Sequence, residues 1–237
     1  MNVRPGLTVS SLIVGSLLTF SAAPALASAL DSAREIADNV TAANNSWGSP
    51  CSIDFTNHTA ATNGACLFTL SLRDDDPTLT SAQISFWWGS TNPSAVVYFN
   101  QINAQNHFTK ISNVANIQEG DLIAVKTSAT AGYLLLVDVL PSYIGDVVRD
   151  NATYSRYFVS VIDSISSSPH GPTDSRWNAD LAADGVTAVH DQGVGSGDIY
   201  LDADADGAIV AHTWSTVNGG TLYTVATRPL TVGRFVR

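Results

Sequence analysis

The pattern of hydrophobic and polar positions changes its period about halfway along the chain, near Ile117. Before that point, residues 31–43 carry apolar side chains one helical turn apart, which predicts an amphipathic helix beginning at Asp31. Residues 65–73 form an apolar run that predicts a short buried helix, with a strand as the alternative. A further helix is predicted to begin at Pro93.

After this change the apolar runs become short, rich in branched side chains and bounded by Gly, Pro, Asn and Ser, as is typical of strands. Asp204 to Gly207 has the composition of a hairpin turn. Helices followed by antiparallel strands predict a single α+β domain. The predicted strands are 121–125, 133–140, 158–163, 199–201, 208–214, 222–225 and 232–236.

The N-terminal segment has the composition of an export signal. Arg4 is followed by an apolar run over 7–20 and by small residues with the A-x-A pattern over 25–29. This order predicts a cleavable secretory signal over 1–29 and a mature domain over 30–237, secreted or held in the periplasm or cell envelope. The run is shorter than the roughly 20 apolar residues of a spanning helix, so no membrane span is expected after cleavage.

Composition and net charge limit the kinds of molecule that are expected to bind this protein. Hydrophobic residues make up 45% of the chain and charged residues 14%, as in a folded globular domain. The formal net charge of −10 disfavours nucleic acid and anionic lipid as partners, because both are negatively charged. In an oxidising compartment Cys51 and Cys66 could form a disulfide, and a free thiol is the alternative.

Several of these segments occur in an order that resembles a known family. Cys66 lies at the start of the predicted buried helix, and the segment Ile117–Val125 contains Gly-Asp-Leu-Ile. Gly132–Val137 begins the next predicted strand, and Asp163 is the last residue of the predicted strand that follows. Over 66–163 the chain resembles the NlpC-type papain-like cysteine peptidases and the related CHAP amidases. The resemblance implies a papain-like α+β fold, with N-terminal helices packed on an antiparallel sheet. It also implies Cys66 as nucleophile and Asp163 as the polar group that orients the catalytic histidine.

The chain departs from this family at the histidine itself, whose position holds Tyr133. A phenol with a pKa near 10 is protonated at neutral pH and cannot take the proton of a thiol. His170, seven residues after Asp163, is the candidate substitute base. The alternative for His170 is a hydrogen bond within its own loop.

Three functions remain open at this stage. Tyr133 favours a degenerate, non-catalytic or weakly active relative of cell-wall amidases and peptidases that binds a peptide or peptidoglycan-like ligand. The second is an active cysteine hydrolase that uses Cys66 with His170. The third is a structural exoprotein stapled by a disulfide. The oligomeric state is not predicted.

One segment has the opening of a calcium-binding loop. Asp202, Asp204 and Asp206 alternate before Gly207, but Thr213 holds the twelfth position, where an EF-hand has a bidentate glutamate. A solvated hairpin turn is the alternative. No other metal or cofactor is predicted.

Glycine also occupies alternate positions over 193–197. A phosphate-binding turn needs a helix N-terminus, whereas this segment precedes a predicted strand. We therefore predict a loop or bulge at the entrance to the sheet.

Overall fold

The structure is a computed structural model that describes residues 27–167, 169–181, 188–217 and 220–237. Over these residues it is an α+β protein whose helices precede a large antiparallel sheet, and this coarse prediction is confirmed. Residues 1–26 of the predicted signal peptide lie outside the described residues. None of the described helices has the length and hydropathy needed to cross a membrane. They are α1 (Ala27–Asn39), α2 (Gly64–Asp75), α3 (Ser81–Trp88) and α4 (Ala95–Ala104).

Capping side chains set the starts of the helices. The Asn63 side chain accepts a hydrogen bond from the Cys66 amide at 3.0 Å, which begins α2. Ser94 caps α4 in the same way, so α4 starts just after the predicted Pro93. The predicted start at Asp31 is wrong, because α1 is already helical at Ala27 and packs its first turns into the core.

The strands form a large sheet, a small sheet and a hairpin. The large sheet has the order β12-β11-β10-β7-β6-β5-β13-β4, the small one β1-β3-β2, and β8 pairs with β9. The strands are β1 (Asn45–Trp47), β2 (Ser52–Asp54), β3 (Thr59–Thr62), β4 (Phe108–Ile111), β5 (Leu122–Lys126), β6 (Gly132–Arg149), β7 (Ala152–Ile165), β8 (Trp177–Leu181), β9 (Ala188–His190), β10 (Gly193–Ala203), β11 (Ile209–Thr213), β12 (Leu222–Thr224) and β13 (Leu230–Phe235).

Side chains alternate between the two faces of the large sheet, and each face has its own apolar core. On the outer face, Leu134 and Leu136 belong to the cluster formed with the helices. On the inner face, Leu135 and Val137 belong to a second cluster. The sheet curls around this inner cluster and brings its β4 end close to β11, since Asn113, which follows β4, forms a bridge with Ala208 just before β11.

Strands β6 and β7 form a hairpin that is longer than predicted. Their turn places Asp150 and Asn151 at φ +51° and +62°, as a two-residue type I′ turn requires. Strand β5 pairs only with residues 132–136 of β6, so the rest of β6 extends beyond it. Side chains there are largely exposed, with Val148 at 72%, and this explains why no buried strand was predicted.

Candidate functional site

Cys66 lies in the first turn of α2, as predicted, but it is bonded to Cys51. Their Cα atoms are 5.8 Å apart, and the bond ties the segment before β2 to α2. A sulfur atom in a disulfide cannot ionise to a thiolate, and the thiolate is the nucleophile of a cysteine peptidase. The structure therefore contradicts Cys66 as a nucleophile in the oxidised chain, and the disulfide alternative holds.

Removing this bond is expected to destabilise the domain. Cross-linking residues separated by 15 positions restricts the unfolded chain, which stabilises the fold by about 3 kcal/mol. We expect the variant Cys51→Ser, Cys66→Ala to lose about that much unfolding free energy in urea titrations. Wild-type protein measured with and without reductant is the matched comparison. Equal urea midpoints for the oxidised and reduced forms would contradict the stabilising role.

The N-terminus of α2 lies directly against the start of β6. A side chain at Gly64 would collide with the carbonyl oxygen of Leu134, so glycine allows this close approach. A cavity of about 90 Å³ opens beside the contact. It lies where α2, β6 and β7 meet, and its lining residues are Trp47, Asn63, Gly64, Ala65, Ala95, Gly132, Tyr133, Leu134, Asp163 and Ser164.

Tyr133 reaches this cavity from the inner face of the sheet. It pairs in register with Val125 of the inner cluster, and its ring meets Trp214 edge-on with centroids 5.0 Å apart. Helix α2 packs on the outer face, through Leu67 and Phe68. Tyr133 and the helix that carries Cys66 thus approach the cavity from opposite faces.

Asp163 lies on the strand next to Tyr133, as predicted, but its partners are two buried cations. One carboxylate oxygen, Oδ2, lies 3.2 Å from Nε2 of His170, and the other lies 2.7 Å from Nη1 of Arg176. Arg176 also forms a two-point ion pair with Asp174, at 2.7 and 3.1 Å. Burial alone would raise the pKa of Asp163, but the Arg176 and His170 charges outweigh burial and lower it.

His170 is fully buried, and both of its ring nitrogens face acceptors. Nδ1 lies 2.8 Å from the carbonyl oxygen of Trp214, and Nε2 faces the Asp163 carboxylate. Both nitrogens must therefore donate, which only the imidazolium can do. Burial lowers the pKa of His170, but the Asp163 charge outweighs burial and raises it above 6.5. An imidazolium has no lone pair for a thiol proton, so the geometry contradicts His170 as a substitute base.

The alternate glycines of 193–197 make room for these two side chains. They lie within strand β10, so the predicted loop or bulge is wrong. A Cβ at Gly197 would collide with the His170 ring, and one at Gly195 would come within 2.7 Å of the Arg176 guanidinium. Glycine at alternate positions of a strand leaves one face of that strand without side chains, so other side chains can pack closely against it. This sequence signal could have indicated that residues such as His170 and Arg176 cover that face.

The structure contradicts a calcium loop at Asp202, Asp204 and Asp206. Asp202 is fully buried and paired with Arg149 and Arg156, which repel a cation. Asp204 Oδ1 instead accepts hydrogen bonds from the amides of Asp206 and Ala208, at 3.0 and 2.9 Å, and forms the predicted hairpin turn. Within the described ranges, no group of three or more His, Cys, Asp or Glu side chains is placed to hold a metal ion.

No family model matches the chain, and no solved structure matches it. The chain is similar to an uncharacterized protein of Acanthamoeba polyphaga mimivirus, with 30% identity over 159 residues. The match covers 62% of this chain and 66% of the viral protein, so the chain spans just under two thirds of its relative.

Proposed function

We propose that this chain is an exported, non-catalytic domain of the papain-like type, related to the NlpC and CHAP proteins, that binds a peptide or glycopeptide of the cell wall. The observation that carries the proposal is the state of the three groups that catalysis would need. Cys66 is bonded to Cys51, Tyr133 replaces the histidine, and His170 is held as a buried imidazolium. With neither thiol nor base, binding is the role left to the cavity.

The cavity beside α2 has features of a subsite for one small group. Its volume of about 90 Å³ is well below the roughly 300 Å³ at which ligand pockets begin, so a ligand would lie along the surface and insert one small side chain. Trp47 and Tyr133, 48% and 38% exposed, provide aromatic surface for the rest of it.

Binding to peptidoglycan stem peptides and muropeptides, measured by isothermal titration calorimetry, tests this function. We expect saturable binding by the oxidised wild type, weakened about tenfold or more by Trp47→Ala or Tyr133→Ala, because aromatic anchors carry much of such binding energy. Phe86→Ala removes an exposed aromatic side chain of α3 that lies outside the cavity, and this variant should bind as the wild type does. Absence of binding, or equal affinity in all four proteins, would refute the proposal.

The disulfide-stapled structural exoprotein is the second candidate, and the Cys51–Cys66 bond is the observation that favours it. It becomes the better account if the calorimetry shows no binding. An active hydrolase would require the protein, with Cys66 reduced to a free thiol, to release products from peptidoglycan. If Cys66→Ala abolished such a release, the non-catalytic proposal would be overturned.

A further inference from the structure

Asp202 of β10 is a fully buried carboxylate that is shared by two arginines. Arg156 of β7 donates to both of its oxygens, from Nε at 2.7 Å and from Nη2 at 3.0 Å. Arg149, at the end of β6, donates to Oδ2 from Nη1. The two guanidinium groups and the single carboxylate leave one unbalanced positive charge, in a chain whose net charge is −10.

Both guanidinium groups are held in place by aromatic rings. The Arg149 guanidinium carbon lies 4.6 Å from the centroid of the Tyr154 ring, and that of Arg156 lies 4.9 Å from the Tyr200 ring. Each side chain is only 23% exposed. Asp202 accepts a hydrogen bond from one terminal nitrogen of Arg149. In the part of the chain that the structure describes, Nη1 of Arg156 has no hydrogen-bond acceptor. Donors that are already oriented lose little entropy when they bind.

A cavity of about 160 Å³ opens in front of this pair. Its walls include Tyr200, Thr213 and Leu222, which are neighbours across β10, β11 and β12. None of the described residues that line it is an aspartate or a glutamate. Its size suits a group of a few heavy atoms, and its charge selects a negative one.

We propose that Arg149 and Arg156 form a binding site for a small oxyanion, namely a carboxylate or phosphate group. The forked guanidinium donors match two oxygens of such a group and form strong charge-assisted hydrogen bonds with it. Asp202 positions both arginines, and its single charge leaves the other positive charge for the ligand. This site lies on different strand segments from the cavity beside α2 and does not depend on the proposed function.

The test is an NMR titration of the full oxidised chain with sodium phosphate and, separately, with sodium acetate, at constant ionic strength. We expect saturable shifts of the arginine Nε–H signals of Arg149 and Arg156 with at least one of the two anions. The anion that binds more tightly identifies the ligand as a phosphate or a carboxylate. If neither anion gives a saturable shift, the proposal is overturned.

Two variants should change the affinity in opposite directions. Arg149→Gln removes the unbalanced charge while Arg156 still pairs with Asp202, and it should weaken binding about tenfold or more. Asp202→Asn raises the net charge of the site, while the amide oxygen can still accept from Arg156 and the Tyr154 and Tyr200 rings still hold the two guanidinium groups, so it should tighten binding several-fold. Arg237→Gln removes an arginine outside the cavity and should leave the affinity unchanged. Wild-type affinity in whichever of the first two variants remains folded would contradict the site.

Discussion

Replacing Arg176 by Met is expected to reduce the free energy of unfolding by on the order of 3–5 kcal/mol. Arg176 is 3% exposed and pairs with both Asp163 and Asp174, and its Nη1 also donates to the carbonyl oxygen of Gly193 at 2.8 Å. Without its charge, two buried carboxylates would share only the His170 imidazolium. The shift of the urea midpoint, with the slope of the transition checked for change, measures the loss.

Arg34→Met is the matched control for this experiment. Arg34 also pairs with carboxylates, those of Glu119 and Asp138, but its side chain is 35% exposed. Solvent screens such pairs, so this variant should lose about 1 kcal/mol or less. A loss of that size in Arg176→Met as well would show that the buried cluster does not stabilise the fold.

The second prediction is a loss of stability in mild acid that depends on His212. This residue of β11 is 1% exposed, and neither ring nitrogen has a hydrogen-bond partner among the described residues. Trp214 and Tyr223 enclose the ring, each with its centroid 5.6 Å away. Burial, helped by the charge of Arg228, lowers the pKa of His212 from 6.5 to about 4.

The sign of the effect follows from which state binds the proton. As the pH falls from 6.5 to 4, the unfolded chain protonates at residue 212 and the folded chain does not, so the unfolding free energy decreases by about 3 kcal/mol. His212→Leu should remove this loss, and should be no less stable than the wild type near pH 7, because it buries no unpaired nitrogen. His58→Asn changes a histidine outside the core, so this variant should lose unfolding free energy in acid as the wild type does.

Alkaline pH should reveal the opposite contribution from His170. Because its folded pKa is raised above 6.5, its stabilisation is fully present below pH 6.5 and is lost as the pH rises through the raised value. Asp163 has a lowered pKa, so its contribution is lost only below the ordinary value of 3.8. Urea titrations between pH 4 and 9 should therefore give maximal stability near pH 6.5. A flat profile would contradict both histidine assignments.

The sequence located part of the candidate site but left the chemistry of its residues open. Asp163 was expected on the strand beside Tyr133, and it lies there. Arg176 was missed, because an arginine in a polar loop gives no sign that it will be buried. The structure shows that the loop folds over β10 and turns Asp163 and His170 into a buried ion cluster with Arg176.

Local pattern alone determined the α+β class and the hairpin turn at Asp204–Gly207, and it favoured a helix over a strand for the segment that carries Cys66. These features depend on periodicity, capping and turn chemistry within a few neighbouring residues, so short segments of the sequence are enough to predict them. The long hairpin of β6 and β7 escaped prediction because its outer half is exposed and its strands depend on pairing with each other.

Only the tertiary structure decided the state of each charged or reactive group. Whether Cys66 is a thiol, whether His170 is a base and whether Asp202 binds calcium all depend on which side chain lies opposite. Cys51 decides the state of Cys66, Asp163 that of His170, and the two arginines Arg149 and Arg156 that of Asp202. The fold brings each of these partners into contact with its group. A sequence pattern shows that a group can ionise, whereas its pKa and its partners are properties of the buried environment that folding creates.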